Sequence, residues 1–291
     1  MSHPITGQTC PICNASDLSS TTIGGTPMWR CMACTALITP VEARATANSD
    51  YYQTEYTLTH TSRTNTEMHR YFRYPEYATL IGRVLNELEQ SPEIPRTWLD
   101  VGCDHGFFLD DVRRYGFSVV GVEPSTSARA YAQSIGIAVE EGVSDVTGKY
   151  TVISLWHVLE HIDQPRQMLH QLYEQCEPGG VLCIRVPDAS SFWARMLRDR
   201  WIWFQARNHV VHYSPRTLRT VVEDAGFRVV ELRAQKPNTW LTRRAYRLSW
   251  KVFSHTHGRA RPSLRDRVAR WYQDVTGCEL FVVARKPQNQ R

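Results

Sequence analysis

The sequence predicts an α/β protein built on a doubly wound parallel sheet, with a small metal-held module ahead of it. Three observations carry that expectation. From Arg96 onward, short apolar runs alternate with segments of helical periodicity. The apolar runs are continuous, as befits strands buried on both faces. Two Cys-x2-Cys pairs stand between Cys10 and Cys34, ahead of any such alternation.

The chain has 291 residues, 42% of them hydrophobic and 22% charged, an ordinary globular balance. No uninterrupted apolar run reaches the roughly 18 residues a membrane-spanning helix needs. The N-terminus "MSHPITGQTC" lacks the basic and apolar pattern of a signal peptide, so the expected location is the cytoplasm.

"CPIC" and "CMAC" give C-x2-C-x17-C-x2-C. Four thiolates paired in this way can surround one tetrahedral Zn²⁺, with Cys10, Cys13, Cys31 and Cys34 as ligands. Such a site is closed and therefore structural. A zinc ribbon over residues 1–45 would take its folding energy from the metal, because so short a segment buries little core. Cys103, Cys176, Cys183 and Cys278 are scattered and suit core filling.

Residues 46–95 are expected to form a linker and a helical lid. Polar, Thr-rich sequence carrying Tyr51, Tyr52 and Tyr56 gives way to a helix over 67–90 with the stripe Leu80, Ile81, Val84, Leu85, Leu88. The alternation then runs in order: strand 97–102, helix 107–116, strand 118–124, helix 126–136, a short strand at 137–142 and a strand entering a helical turn at 150–162. A helix over 165–180 ends at Gly179-Gly180 and a strand follows at 181–188. The helix 214–227 has Ser214 as N-cap, Pro215 in its first turn and Gly226 at its end. Strands at 228–235 and 278–286 close the chain.

In such a sheet the ligand sits at the carboxyl ends of the strands. The first strand ends in Asp100, and "DVGCDHGFF" turns through Gly102 and Gly106 into a helix. The second ends in Glu123, placed to accept the hydroxyls of a ribose. Asp100 and Asp104 oppose a pyrophosphate and suit a ligand with a cationic end. S-adenosylmethionine carries an ammonium, a sulfonium and a ribose, and no phosphate.

The successive segments "LDVGCDHGFFL", "GVEPS", "WHVLEHIDQP", "EPGGVLCIRVPD" and "SPRTLRTVVEDAGF" resemble the ordered motifs of class I S-adenosylmethionine-dependent methyltransferases over about 97–235. The resemblance implies a Rossmann-like seven-stranded sheet with the last strand antiparallel. It implies that Asp100, Gly102, Asp104 and Gly106 line the methionine end of the cofactor. Glu123 would bind the ribose, Pro124, Gly142 and Val143 would border the adenine, and Leu155 and His157 would border the sulfonium. The departure is Asp104, where a glycine is more usual.

Methyl transfer needs an aligned nucleophile and, where that nucleophile carries a proton, a base. His157 and His209 are the candidate catalytic residues; Glu160 and His161 are expected to be structural. "RNHVVHYSP" resembles the E-H-L-x-Y-F-S segment of sugar C-methyltransferases, which also carry an N-terminal four-cysteine zinc domain and in which the histidine is the proposed base. Here Asn208 replaces the glutamate, and the chain is too short for the further C-terminal domain of those enzymes. The aromatics of "SSFWARMLRDRWIWFQ" can wall a substrate pocket or simply cover the core.

An insertion at about 237–277 is basic: nine Lys or Arg between Trp240 and Gln273 face one acid, Asp266. It suits an anionic partner, such as a nucleotide-linked or lipid-linked sugar, or peripheral contact with the inner membrane face. The expected function is methyl transfer to a small-molecule or glycan acceptor. Two alternatives are an RNA methyltransferase that uses the zinc ribbon and basic insertion, and a non-catalytic zinc-ribbon binding module. The sequence does not give an oligomeric state.

Overall fold

The computed structural model describes residues 8–44, 81–88, 95–235 and 277–288. The expected lid over most of 46–95 and the basic insertion at 237–277 lie outside the described residues, apart from a helix over residues 81–88. That helix buries Ile81 and Val84, as its stripe predicts.

The main sheet has seven strands. β4 (Thr97–Val101), β5 (Ser118–Val122) and β6 (Ala138–Glu140) run outward from the centre on one side. The chain then returns to β7 (Tyr150–Trp156), β8 (Cys176–Pro187), β11 (Glu279–Arg285) and β10 (Arg228–Gln235) on the other. β11 is antiparallel to both of its neighbours, as the sequence predicts of the last strand. Strand order reverses between β4 and β7. In an open α/β sheet that reversal opens a crevice at the carboxyl ends, where ligands bind.

The strands nearest the reversal are buried almost throughout. Trp98, fully buried, meets Phe108 and Phe117 edge-on at 5.5 and 5.2 Å. Its indole N–H donates to Ser154 Oγ (2.8 Å), and that hydroxyl donates to Asp100 Oδ1 (2.5 Å). The β4–β7 register sets Asp100 opposite Ser154. A packing residue thereby orients a carboxylate at the strand end.

The helix boundary that differs most from the sequence expectation lies before β8. The helix starting at Pro165 stops at Gln175, and β8 begins at Cys176, so Gly179-Gly180 lie within the strand. The Lys286 ammonium stops the helix by donating to the carbonyls of Tyr173 (2.7 Å) and Cys176 (3.1 Å). Gly180 is needed for close approach: a Cβ there would lie 2.8 Å from both Cys176 Sγ and the Glu177 carbonyl. The other helices follow the expected order: Phe107–Val112, Thr126–Ser134 and Pro215–Asp224, the last capped by Ser214.

The N-terminal module is a three-stranded antiparallel array, β1 (Leu18–Ile23), β2 (Thr26–Cys31) and β3 (Leu37–Ile38). A fourth strand completes it from far along the chain: β9 (Val211–His212) pairs with β3. Cys10, Ile12, Leu18 and Ile38 share one buried cluster with Leu159, Val210, Tyr213 and the strands of the main sheet. The module therefore draws on the main core for its burial.

Candidate functional site

The loop after β4 is shaped by left-handed backbone at Gly102, Asp104 and Gly106, with φ of +74°, +50° and +74°. Asp104 stands at a position whose conformation favours glycine, and Asp is among the few side chains that tolerate it. A Cβ at Gly102 would lie 2.4 Å from Val158 Cγ2, and one at Gly106 would lie 2.9 Å from Ala132 Cβ. Gly102 thus lets the loop touch the turn after β7, and Gly106 lets its helix seat on the next.

Glu123 is 4% exposed and locks this loop. Its Oε2 accepts from the Asp104 amide (2.9 Å) and its Oε1 from the Ser125 amide (2.8 Å). Each oxygen keeps a further lone pair. Burial pushes the Asp100 carboxyl up to about 8 and the Glu123 carboxyl up to about 7, and each is raised further by a carboxylate neighbour. The Asp104 side chain pairs with His105 Nδ1 at 2.6 Å. Exposed Pro124 follows Glu123, and its carbonyl accepts from Arg129 (3.2 Å). After β6, the Gly142 amide donates to Asp145 Oδ2 (3.0 Å), while Gln175 donates to the carbonyls of Val143 and Val146.

Opposite this rim, Leu155 is fully buried near the end of β7, and His157 follows with φ +57°. The His157 ring stacks on Trp203 at 5.0 Å and lies between two carboxylates. Nδ1 is 3.4 Å from Glu160 Oε1, and Nε2 is 3.2 Å from Glu279 Oε1. Burial opposes its charge, but Glu279 and Glu160 outweigh burial and raise its pKa to about 9. His157 is therefore an imidazolium near neutrality. Glu279 also faces the buried Arg185 at 3.4 Å.

His209 is buried and edge-on to His161, with ring centroids 4.7 Å apart. Burial first, then the neighbouring imidazoles, hold its pKa well below the usual histidine value, so it is neutral. The Val210 amide donates to the Glu160 carbonyl (2.7 Å), tying this segment to the turn after β7. His212 bonds Thr39 Oγ1 through Nε2 (3.1 Å) and stacks on Phe204 at 5.2 Å.

The four cysteines converge, with all Sγ atoms within 4.8 Å of one another. Cys10–Cys34 and Cys13–Cys31 are 3.6 Å apart. Tetrahedral Zn–S bonds of about 2.3 Å require sulfurs about 3.8 Å apart. The two knuckles match: Asn14 and Thr35, each following a Cys-x2-Cys, have φ of +61° and +67°. Both amides donate back to the first cysteine of their pair, Asn14 to the Cys10 carbonyl and Thr35 to that of Cys31.

Sequence reasoning did not single out Glu279, Arg185, Ser154 or Thr39. A charge set against an apolar run, Glu279 at the head of "CELFVVARK" and Arg185 within "VLCIRVPD", was the available signal for the first two.

Residues 69–232 match the family described as a methyltransferase domain. Over 119 residues the chain is 33% identical to the ubiquinone biosynthesis O-methyltransferase of Erwinia tasmaniensis, which covers 37% of this chain and 45% of that protein. Over 93 residues it is 32% identical to the protein of the same name from Cronobacter sakazakii, covering 28% and 38%. The chain thus spans less than half the length of these two curated relatives. Among solved structures, Haemonchus contortus phosphoethanolamine N-methyltransferase 2 superposes with a TM-score of 0.55 at 14% identity, covering 81% of this chain and 60% of that one. The magnesium protoporphyrin IX methyltransferase of Synechocystis PCC 6803 gives 0.52 at 14% identity, covering 82% and 97%. These two likenesses show the fold.

Proposed function

The chain belongs to the methyltransferase-domain family, and on that premise we propose that it transfers a methyl group from S-adenosylmethionine to a small-molecule acceptor. The observation that carries this reading is the Gly102–Gly106 loop at the strand-order reversal, closed by the buried carboxylate of Glu123. The loop presents carboxylates where a phosphate site would present cations. Gly102 and Gly106 give the loop the left-handed turns that hold its backbone against Val158 and Ala132.

When bound, S-adenosylmethionine supplies a methyl group on a sulfonium. Glu123, fixed by two backbone amides, turns its remaining lone pairs to the ribose hydroxyls, and Pro124, Gly142 and Val143 border the adenine. Asp100 and Asp104, with Gly102 and Gly106, receive the ammonium end. Leu155 and His157 stand at the sulfonium end. The charged His157 holds Glu160 and Glu279 in place rather than accepting a proton. His209, kept neutral, is the imidazole that offers the acceptor side a lone pair.

Zinc on Cys10, Cys13, Cys31 and Cys34 fixes the array to which β9 belongs. The relatives' names point to small acceptors: a ubiquinone precursor and phosphoethanolamine. A glycan acceptor is the narrower reading, carried by the "RNHVVHYSP" segment around His209.

Calorimetry with S-adenosylmethionine tests the assignment. Glu123→Ala should weaken binding at least about tenfold, the loss of one or two hydrogen bonds to a charged group. Wild-type affinity in a folded Glu123→Ala protein would remove the ribose role. Failure of the wild type to bind would overturn the reading itself.

A further inference from the structure

We propose a second metal site, separate from the four cysteines, in which Glu160, His161 and His209 bind a first-row divalent cation such as Zn²⁺, Co²⁺ or Mn²⁺. Each offers one ligand atom, and the three atoms lie within 4.8 Å of one another. Glu160 is 1% exposed, and neither of its carboxylate oxygens accepts a hydrogen bond among the described residues. The charged His157 ring offsets part of the cost of burying this carboxylate but makes no hydrogen bond to it, and a second cation would offset the rest. The His157 ring approaches only Oε1, at 3.4 Å. Oε2 remains for a metal.

The outer contacts are those metal-binding imidazoles show. His161 Nδ1 lies 3.0 Å from the Asn208 carbonyl, so that nitrogen carries the proton and Nε2 carries the lone pair. His209 packs edge-on against the His161 ring, with centroids 4.7 Å apart. The Val210 amide to Glu160 carbonyl bond holds the two contributing segments together across 50 positions of the chain. Two imidazoles and a carboxylate suit zinc and neighbouring first-row ions, and three protein ligands leave a coordination position open. On the proposed function, that open position is where an acceptor oxygen would bind. The ion would take the His209 lone pair that the preceding reading gave to the acceptor.

The cation rests on the geometry alone; only its contact with the acceptor rests on the methyltransferase reading. Two measurements separate them. Mn²⁺ titrated into the full chain loaded with a single equivalent of zinc, which the four thiolates take first, and followed by electron paramagnetic resonance should show about one bound ion per chain, since Mn²⁺ prefers oxygen and nitrogen to a thiolate cage. Glu160→Gln should weaken that binding by more than about 100-fold, beyond the 10–100-fold typical of losing an outer-shell partner. It should leave zinc content and S-adenosylmethionine affinity unchanged.

If Glu160→Gln misfolds, Co²⁺ exchanged into the wild type decides the question. Two cobalt ions per chain, one with thiolate charge-transfer bands and one without, support the site. One cobalt ion per chain with only the thiolate spectrum, or no bound Mn²⁺, overturns it. A wild type that binds no second metal ion but still binds S-adenosylmethionine would sink the second site alone and leave the proposed function standing.

Discussion

The two rims at the carboxyl edge of the sheet are built over very different distances. On the proposed cofactor rim, Glu123 reaches back 19 positions to the Asp104 amide, and the residues between them form one loop–helix–strand unit. On the proposed acceptor rim, His161 meets the Asn208 carbonyl 47 positions away, and His212 meets Thr39 across 173. A rim made of local contacts folds as a unit with its helix. A rim made of distant ones depends on every segment it joins, including the cysteine module. The cofactor rim should therefore survive damage that dismantles the acceptor rim.

The largest test of that difference is to remove the metal proposed for the four-cysteine cluster. Cys10→Ser takes away one of four thiolates, and the small array of β1, β2 and β3 should lose its order with the zinc. β9 would then lose its strand partner, because Leu37 and Ile38 pair with His212 and Val211. Hydrogen exchange should accelerate more than about 100-fold at Val211 and His212, matching the loss of several kcal/mol of local stability. Amides of β4 and β5 should keep their protection, and S-adenosylmethionine affinity should stay within about threefold. Equal loss on both rims would show that the two fold as one unit and would break the comparison.

Gly102 touches both rims, and its substitution sharpens where they meet. Gly102→Ala places a methyl group 2.4 Å from Val158 Cγ2 on a backbone with φ +74°. The left-handed conformation alone should lower stability by roughly 1–2 kcal/mol, with the clash adding to it. Val158→Ala in the same chain should restore the steric part and leave the backbone part. Thermal melts of the two single variants and the double variant give the coupling directly. Additive losses would mean that the loop and the turn move apart independently.

How much of each rim was legible in the sequence follows from the same distances. "LDVG" followed by Glu123 at a strand end is a local pattern, so Asp100, Gly102 and Glu123 were found by spacing. The seven strands were legible too, because buried parallel strands leave continuous apolar runs. The Gly179-Gly180 boundary was misplaced because a lysine 106 positions after Gly180 ends the helix, and no local propensity encodes Lys286. The cysteine ligand set was legible from its spacing. Its union with β9 was not, since a two-residue strand has no periodicity to detect. Glu160 and His161 illustrate the same limit. Their sequence context suggested scaffold, and only the fold brings His209 beside them.

The smallest expected effect is a pH dependence confined to the cofactor rim. Asp100 ionises near 8 in the folded chain, against an ordinary value of 3.8, chiefly because it is buried. A raised carboxyl means that the folded state holds a proton the unfolded state has released, so this group's contribution to stability falls as pH rises from about 4 to about 8. Asp100→Asn stays neutral at every pH and can still accept from Ser154. Its stability relative to wild type should therefore climb by about 1 kcal/mol per pH unit between pH 6 and 8 and level off above that. Denaturant melts at pH 6, 7, 8 and 9 measure the trend. S-adenosylmethionine affinity of the same variant should fall, because an amide cannot pair with an ammonium as a carboxylate does. A variant that is more stable at pH 8 and binds more weakly would mark Asp100 as a residue kept for the ligand at the expense of the fold. A stability difference flat across this range would mean that Asp100 is already ionised in the folded chain.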